Sequence, residues 1–321
     1  MSNFPDMVTQ FGGMPVGGNR YNGMWGGTVW FVDYDNGGVG AVGRKPSDAG
    51  KYLDDAIAAA GPNDTIYIRP RSPELGAGGA GPYYGGDPGD ILPKSTSNWT
   101  IPWTAYGLSI IGTGSGVGQA RASVTNLQGA SGATTAVVSL NAPFCSIENI
   151  GVKTGSSTTA LIKQKMADDS VTQAFHNSYY NVWFRNTGSS PGLIIDSGSY
   201  DVVEGCTFSG CAYGVIYQSY NAVPVAQVLS NSNFDNTAAG SYDDVSSTGG
   251  LTRALITGCN FNHAEPSGGG HSKYIYMATT STGLISSCYT GSSDATVATN
   301  FTLNGLTYSN CWALESFMVA V

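Results

Sequence analysis

The side chains best suited to chemistry in this sequence are carboxylates at a few repeated or adjacent positions. Glu148 and Glu204 hold the same place in two related segments, Ile147-Glu148-Asn149-Ile150 and Val203-Glu204-Gly205-Cys206. Asp168-Asp169 and Asp243-Asp244 are adjacent pairs. A glycosidase needs two carboxyl groups, about 5–5.5 Å apart for retention or about 6.5–9.5 Å for inversion. If the two glutamate segments lie two turns apart in a stacked chain, with Asn181 between them, their separation is about 10 Å. That is slightly long even for inversion. The aspartate pairs fall in polar insertions and offer oxygen ligands for calcium, but without the alternating spacing of a dedicated loop. A solvated surface is the expected fate of these acids; Glu148, Glu204, Asp243 and Asp244 are the catalytic candidates.

Other reactive residues form weaker constellations. His263 and His271 flank a Gly-rich stretch, and His176 stands apart, with no third ligand or triad partner in view. Six cysteines in 321 residues are too sparse for a disulfide scaffold, and none form a Cys-x-x-Cys pair. Cys206, Cys259, Cys288 and Cys311 share a slot that Ile150, Val182 and Ser232 fill elsewhere. A slot accepting Val, Ile, Ser or Cys is small and inward-facing, so these thiols are expected to stack in the core. Cys145 and Cys211 fall off that column. Gly112-Thr113-Gly114-Ser115-Gly116 lacks the following Lys-Ser/Thr of a phosphate loop. No metal and no cofactor is expected.

The shared slot is part of a degenerate repeat. Its instances include Tyr180-Asn181-Val182-Trp183-Phe184, Leu229-Ser230-Asn231-Ser232-Asn233-Phe234 and Ile256-Thr257-Gly258-Cys259-Asn260-Phe261, recurring at intervals of 23 to 32 residues. Units of that size, with Asn or Gly beside a small residue, signal a solenoid whose turns bury each other's apolar faces. About ten turns at about 4.8 Å each would make a rod on the order of 50 Å long.

Ahead of the repeat, Thr28-Val29-Trp30-Phe31-Val32-Asp33 reads as a strand. Leu53, Ala56, Ile57 and Ala60 then fall on one helical face, and Gly61-Pro62 is a stop. Asn63-Asp64 turns into the strand Thr65-Ile66-Tyr67-Ile68. This order, with Gly61, Asp64, Thr65, Ile66 and Tyr67 in a Gly-x-x-Asp-Thr-Ile-Tyr pattern, resembles the N-terminal entry of the pectin-lyase-like parallel β-helix superfamily. The resemblance implies an all-β, single-stranded right-handed parallel β-helix with a short N-terminal capping helix. It also implies that any enzyme activity would use acids on the outer face. The expected organisation is an extended arm over 1–27 and a β-helix domain over 28–321. The latter divides into a cap at 28–70, a Gly/Pro-rich flank loop at 71–100 and coils at 101–321.

Composition narrows the function. Charged residues are only 11% of the chain, Gly numbers 45 and the net charge is −8, so clustered cations for a polyanion are missing and nucleic acid is excluded as a partner. No stretch approaches a membrane span, and Met1 to Gln10 lacks the pattern of a secretory signal. In the arm, Phe4, Phe11, Met14, Tyr21, Met24 and Trp25 lie among glycines, the pattern of a segment that orders against a partner. Tyr213, Tyr217 and Tyr220 are candidate glycan or trimer contacts.

Arm plus solenoid resembles phage decoration, spike and fibre proteins. It implies a non-enzymatic structural protein on the virion surface of a tailed phage, docked to a capsid or tail protein and adhesive to host-surface polysaccharide. Such proteins are commonly homotrimers. The sequence departs from a full tailspike in showing neither a separate head-binding domain nor a trimer-forming domain. The alternative is a tailspike-like polysaccharide lyase or glycoside hydrolase.

Overall fold

Asn149, Asn181, Gly205, Asn231, Gly258, Ser287 and Asn310 all adopt left-handed backbone, with φ between 49° and 63°. Asn and Gly tolerate that conformation best among the common residues. Each therefore ends one strand and redirects the chain into the next at the same corner of successive turns. Repetition of this corner winds the chain into a right-handed parallel β-helix. The computed structural model describes residues 10–11, 14–15, 27–71, 90–114, 125–130, 133–153, 159–165, 175–185, 190–220, 222–235, 243–261, 273–291, 301–313 and 316–317.

Three sheets run the length of the rod. Following the chain through one turn, the first sheet has ten strands, from Val29–Val32 to Leu306–Ser309. The second has nine, from Thr125–Gln128 to Ser316–Phe317, and the third has eight, from Trp99–Ile101 to Phe301–Thr302. Pairing in these sheets is parallel except at the last pair, Trp312–Ala313 with Ser316–Phe317.

Register keeps like side chains in line. On the first sheet Ile147, Tyr179, Val203, Leu229, Ile256 and Ile285 form one inward column. On the second, Phe184, Phe208, Phe234 and Phe261 stack with ring centroids 4.5, 4.8 and 5.0 Å apart. Fully burying such a side chain is worth about 1.5–3 kcal/mol, and each stacked pair adds about 0.5–1.5 kcal/mol. The cysteine slot behaves as its composition requires: Cys206, Cys259, Cys288 and Cys311 are buried in the column that Ile150, Val182 and Ser232 share. Each donates toward the carbonyl two residues back, as the Ser232 hydroxyl does to Ser230.

The helix Leu53–Ala59 buries Leu53, Ala56 and Ile57 against the same core. The Asp64 of the entry motif ties this cap together. Its carboxylate accepts from the Gly61 and Thr28 amides and from Trp30 Nε1. One correction concerns the flank loop. Trp99–Ile101 is already the first strand of the third sheet, and Trp99 is buried, so the third sheet begins inside the 71–100 interval. A tryptophan and an isoleucine alternating about a threonine fit an inward-facing strand, whatever the Gly and Pro content before them. Trp103, two residues on, is exposed. In the arm, Gln10–Phe11 pairs antiparallel with Met14–Pro15; Phe4, Tyr21, Met24 and Trp25 lie outside the described residues.

Candidate functional site

The outward column of the first sheet carries the glutamates. Glu148 pairs with Tyr180, which pairs with Glu204, so a tyrosine, not Asn181, stands between them. Asn181 is displaced by one residue because it is the left-handed corner itself, where its Nδ2 donates to Asn149 Oδ1 at 2.7 Å. Glu148, Tyr180 and Glu204 are all half-buried. Two rung spacings put the glutamate backbones about 9.6 Å apart, just beyond the upper end of the inverting range.

The aspartate pair is not on a polar insertion. Asp243 and Asp244 begin the strand Asp243–Ser247, and Asp244 is fully buried. Asp243 pairs with Lys273 and is half-buried. Burial, together with the neighbouring Asp244 charge, raises its carboxyl to about 6. A sealed Asp244 cannot touch a polymer outside the rod. Asp168, Asp169, His263 and His271 lie outside the described residues. Among the described residues no cluster of three His, Cys, Asp or Glu is disposed to hold a metal.

The tyrosine trio is also redistributed. Tyr217 is 1% exposed and belongs to the core of the third sheet, so it offers nothing to a glycan. Its strand, Val215–Gln218, turns Val215 and Tyr217 inward, and Ile216 is the outward residue. Tyr213 packs beside Ile194 and Ile216 on the outer face of that sheet. Tyr220 is exposed.

A second left-handed ladder, unanticipated from the sequence, runs along the corner between the third and first sheets. It comprises Asn63, Gly107, Phe144, His176, Tyr200, Ala226 and Arg253, with φ between 52° and 73°. Successive rungs are joined by backbone bonds, from the amides of Phe144, His176, Tyr200 and Ala226 to the carbonyls of Phe175, Ser199, Val225 and Thr252. Three consecutive rungs carry rings. Phe144 stacks on His176 at 5.3 Å and 23°, and His176 on Tyr200 at 4.8 Å and 14°. Phe175 meets Phe144 edge-on at 5.1 Å. Phe144 is 52% exposed and Tyr200 50%. Left-handed backbone at a residue with a Cβ costs about 1–2 kcal/mol, and stacking returns about 0.5–1.5 kcal/mol per pair. The rod solves the same constraint with Asn and Gly at its other corner, so its backbone does not require rings here.

Behind Tyr200 lies a buried polar cluster. Asp201 accepts from the Asn177 amide at 2.9 Å, Gln164 Nε2 at 3.1 Å and Gln227 Nε2 at 3.0 Å. Tyr179 donates to Gln164 Oε1 at 2.8 Å. Burial lifts the Asp201 carboxyl to about 7 despite these donors. Enclosed within the rod, this group braces the corner from inside.

No protein-family model and no curated protein sequence matches the chain. Among solved structures, a pectin methylesterase from Aspergillus niger is similar at 12% identity and a TM-score of 0.47, over 89% of this chain and 86% of that one. A carrot pectin methylesterase is similar at 12% identity and a TM-score of 0.47, over 87% and 88%. An alginate lyase from Paenibacillus sp. str. FPU-7 is similar at 10% identity and a TM-score of 0.43, over 81% and 96%. What identifies this chain as a parallel β-helix, in keeping with the resemblance of its entry motif, is its own three ladders of parallel strands.

Proposed function

We propose that this chain is a non-enzymatic structural protein on the surface of a tailed-phage particle, a capsid decoration or spike, that adheres to host-surface glycans. The observation that carries the reading is the half-exposed stack Phe144–His176–Tyr200, aromatic surface displayed along the rod where its backbone does not demand it. The distribution of the candidate acids adds support. Asp244 is sealed inside the rod, and Tyr180 separates Glu148 from Glu204. In this reading three copies associate, and the arm with Phe4, Phe11, Met14, Tyr21, Met24 and Trp25 docks on a capsid or tail protein.

Mass spectrometry and immunogold labelling of gradient-purified virions test the placement. The expected result is a fixed copy number, in multiples of three, with label on the particle surface. A chain that stays in the lysate and never co-sediments with particles overturns it.

One observation favours a second reading, a polysaccharide lyase or glycoside hydrolase. Glu148 and Glu204 share one outward column. New reducing ends or unsaturated uronates released from a host polysaccharide, and lost in Glu204→Gln, would establish that reading in place of the first.

A further inference from the structure

The aromatic stack ends abruptly. After Tyr200 the next rung of the corner ladder is Ala226, and the one after is Arg253. All three share left-handed backbone, with φ of 58°, 52° and 58°, so their side chains leave the rod in the same general direction. Tyr200 and Arg253 are therefore two rungs apart, about 9.6 Å along the axis, with Ala226 on the rung between them. A ring stacked on Tyr200 in the manner of His176, whose centroid is 4.8 Å away on the other face, would occupy the Ala226 rung. Arg253 is exposed, and among the described residues its guanidinium makes no ion pair. Tyr220 and Val223, 66% and 41% exposed, lie on the same coil as Ala226.

We propose that this slot, with the Tyr200 face as one wall, Ala226 as floor and Arg253 as the opposite wall, binds one anionic hexose unit of a surface glycan. The chemistry of the walls selects the ligand. A pyranose has an apolar face of C–H groups that suits an aromatic ring, and one ring fills one rung. The guanidinium across the gap forms charge-assisted hydrogen bonds with a carboxylate, sulfate or phosphate substituent. On a chain of net charge −8, repulsion keeps anions off most of the surface, so an exposed arginine without an ion pair, across the gap from an aromatic face, marks a place where one is accepted. The site rests on the adhesive reading above and specifies it. It shares no residue with the Glu148–Tyr180–Glu204 column.

The experiment uses the full chain and three probes: the methyl glycosides of glucuronic acid, glucose 6-sulfate and glucose, followed by ligand-observed NMR and calorimetry. Both anionic glycosides are expected to bind at least tenfold more tightly than the neutral one, and Arg253→Ala should abolish that preference. Ala226→Tyr should continue the stack into the slot and reduce binding at least tenfold with an unchanged melting temperature. The ladder already holds Phe144 and Tyr200 in the same backbone conformation, which is why this variant should fold. Equal binding of all three glycosides, or full binding by Ala226→Tyr, overturns the proposal. So does binding that depends on Glu204 and not on Arg253. Placement on the virion is read separately, so a failed slot leaves the particle assignment to its own test.

Discussion

Gln164 Nε2 donates to Asp201 Oδ1 across 3.1 Å inside the rod, linking the third sheet to the corner that leads into the first. Burial holds that carboxyl at about 7, against 3.8 for the ordinary group. Between those values the native chain keeps a proton that the unfolded chain has released. Stability should therefore be greatest below about pH 4 for this group and fall as pH rises toward 7. A displacement of about three pH units amounts to about 4 kcal/mol. Urea unfolding at pH 5 and pH 8 should show lower stability at pH 8, and Asp201→Asn should flatten most of the difference. Asp243, raised to about 6, has the same sign and should leave a residual slope.

The phenylalanine column gives a second expectation. Phe208 touches a ring on each side, with Phe184 at 4.5 Å and Phe234 at 4.8 Å. Phe208→Ala removes both contacts and leaves a cavity, a loss of about 3–5 kcal/mol. Phe208→Leu should cost clearly less, because it retains most of the buried volume. Chemical denaturation of the two variants against wild type measures both.

Thiol chemistry offers a third. All six cysteines are buried, and burial pushes Cys206 and Cys145 up to about 12, leaving negligible thiolate at neutral pH. A thiol reagent at pH 8 should label none of the six in the folded chain and all six in denaturant. Ser232 fills the shared slot while donating to the Ser230 carbonyl at 2.9 Å. Cys259→Ser should therefore be tolerated within about 1–2 kcal/mol, whereas Cys259→Leu should overpack the column and cost about 1–3 kcal/mol.

The left-handed corner gives a fourth. At Asn181, φ is 52° and Nδ2 bonds Asn149. Asn181→Val places a β-branched residue where it fits worst and should cost about 1–2 kcal/mol. Asn231→Gly, at φ 49°, should be close to neutral. Melting temperatures of the pair separate backbone conformation from side-chain loss.

These variants also show why some of the architecture was legible in the sequence. Asn149, Asn181, Asn231 and Gly258 announce themselves because a left-handed corner favours those residues at every turn, and Cys206 or Cys259 follows because the next slot is small and enclosed. Asp64 was readable for the same reason, since its carboxylate serves donors fixed by the cap. Asp201 was not, because its partners Gln164 and Gln227 come from other coils, 37 and 26 residues away. Tyr217 was misplaced because inward and outward positions differ by a single residue on a strand. The Phe144–His176–Tyr200 ladder escaped notice because aromatic residues carry no signal for left-handed backbone. Trp99 was hidden beside a Pro- and Gly-rich stretch whose composition suggested only loop.

The most direct test of the stacked architecture pairs new cysteines across rungs. Thr207 and Asn233 are register partners on the outer face of the second sheet, and Asn260 lies one rung further. Adjacent rungs about 4.8 Å apart are within disulfide reach, whereas two rungs, at about 9.6 Å, are beyond it. Under mild oxidant, Thr207→Cys with Asn233→Cys should cross-link, and Thr207→Cys with Asn260→Cys should not, as read by peptide mass spectrometry. A cross-link at the second pair and none at the first would contradict the stacking from which every site above takes its position.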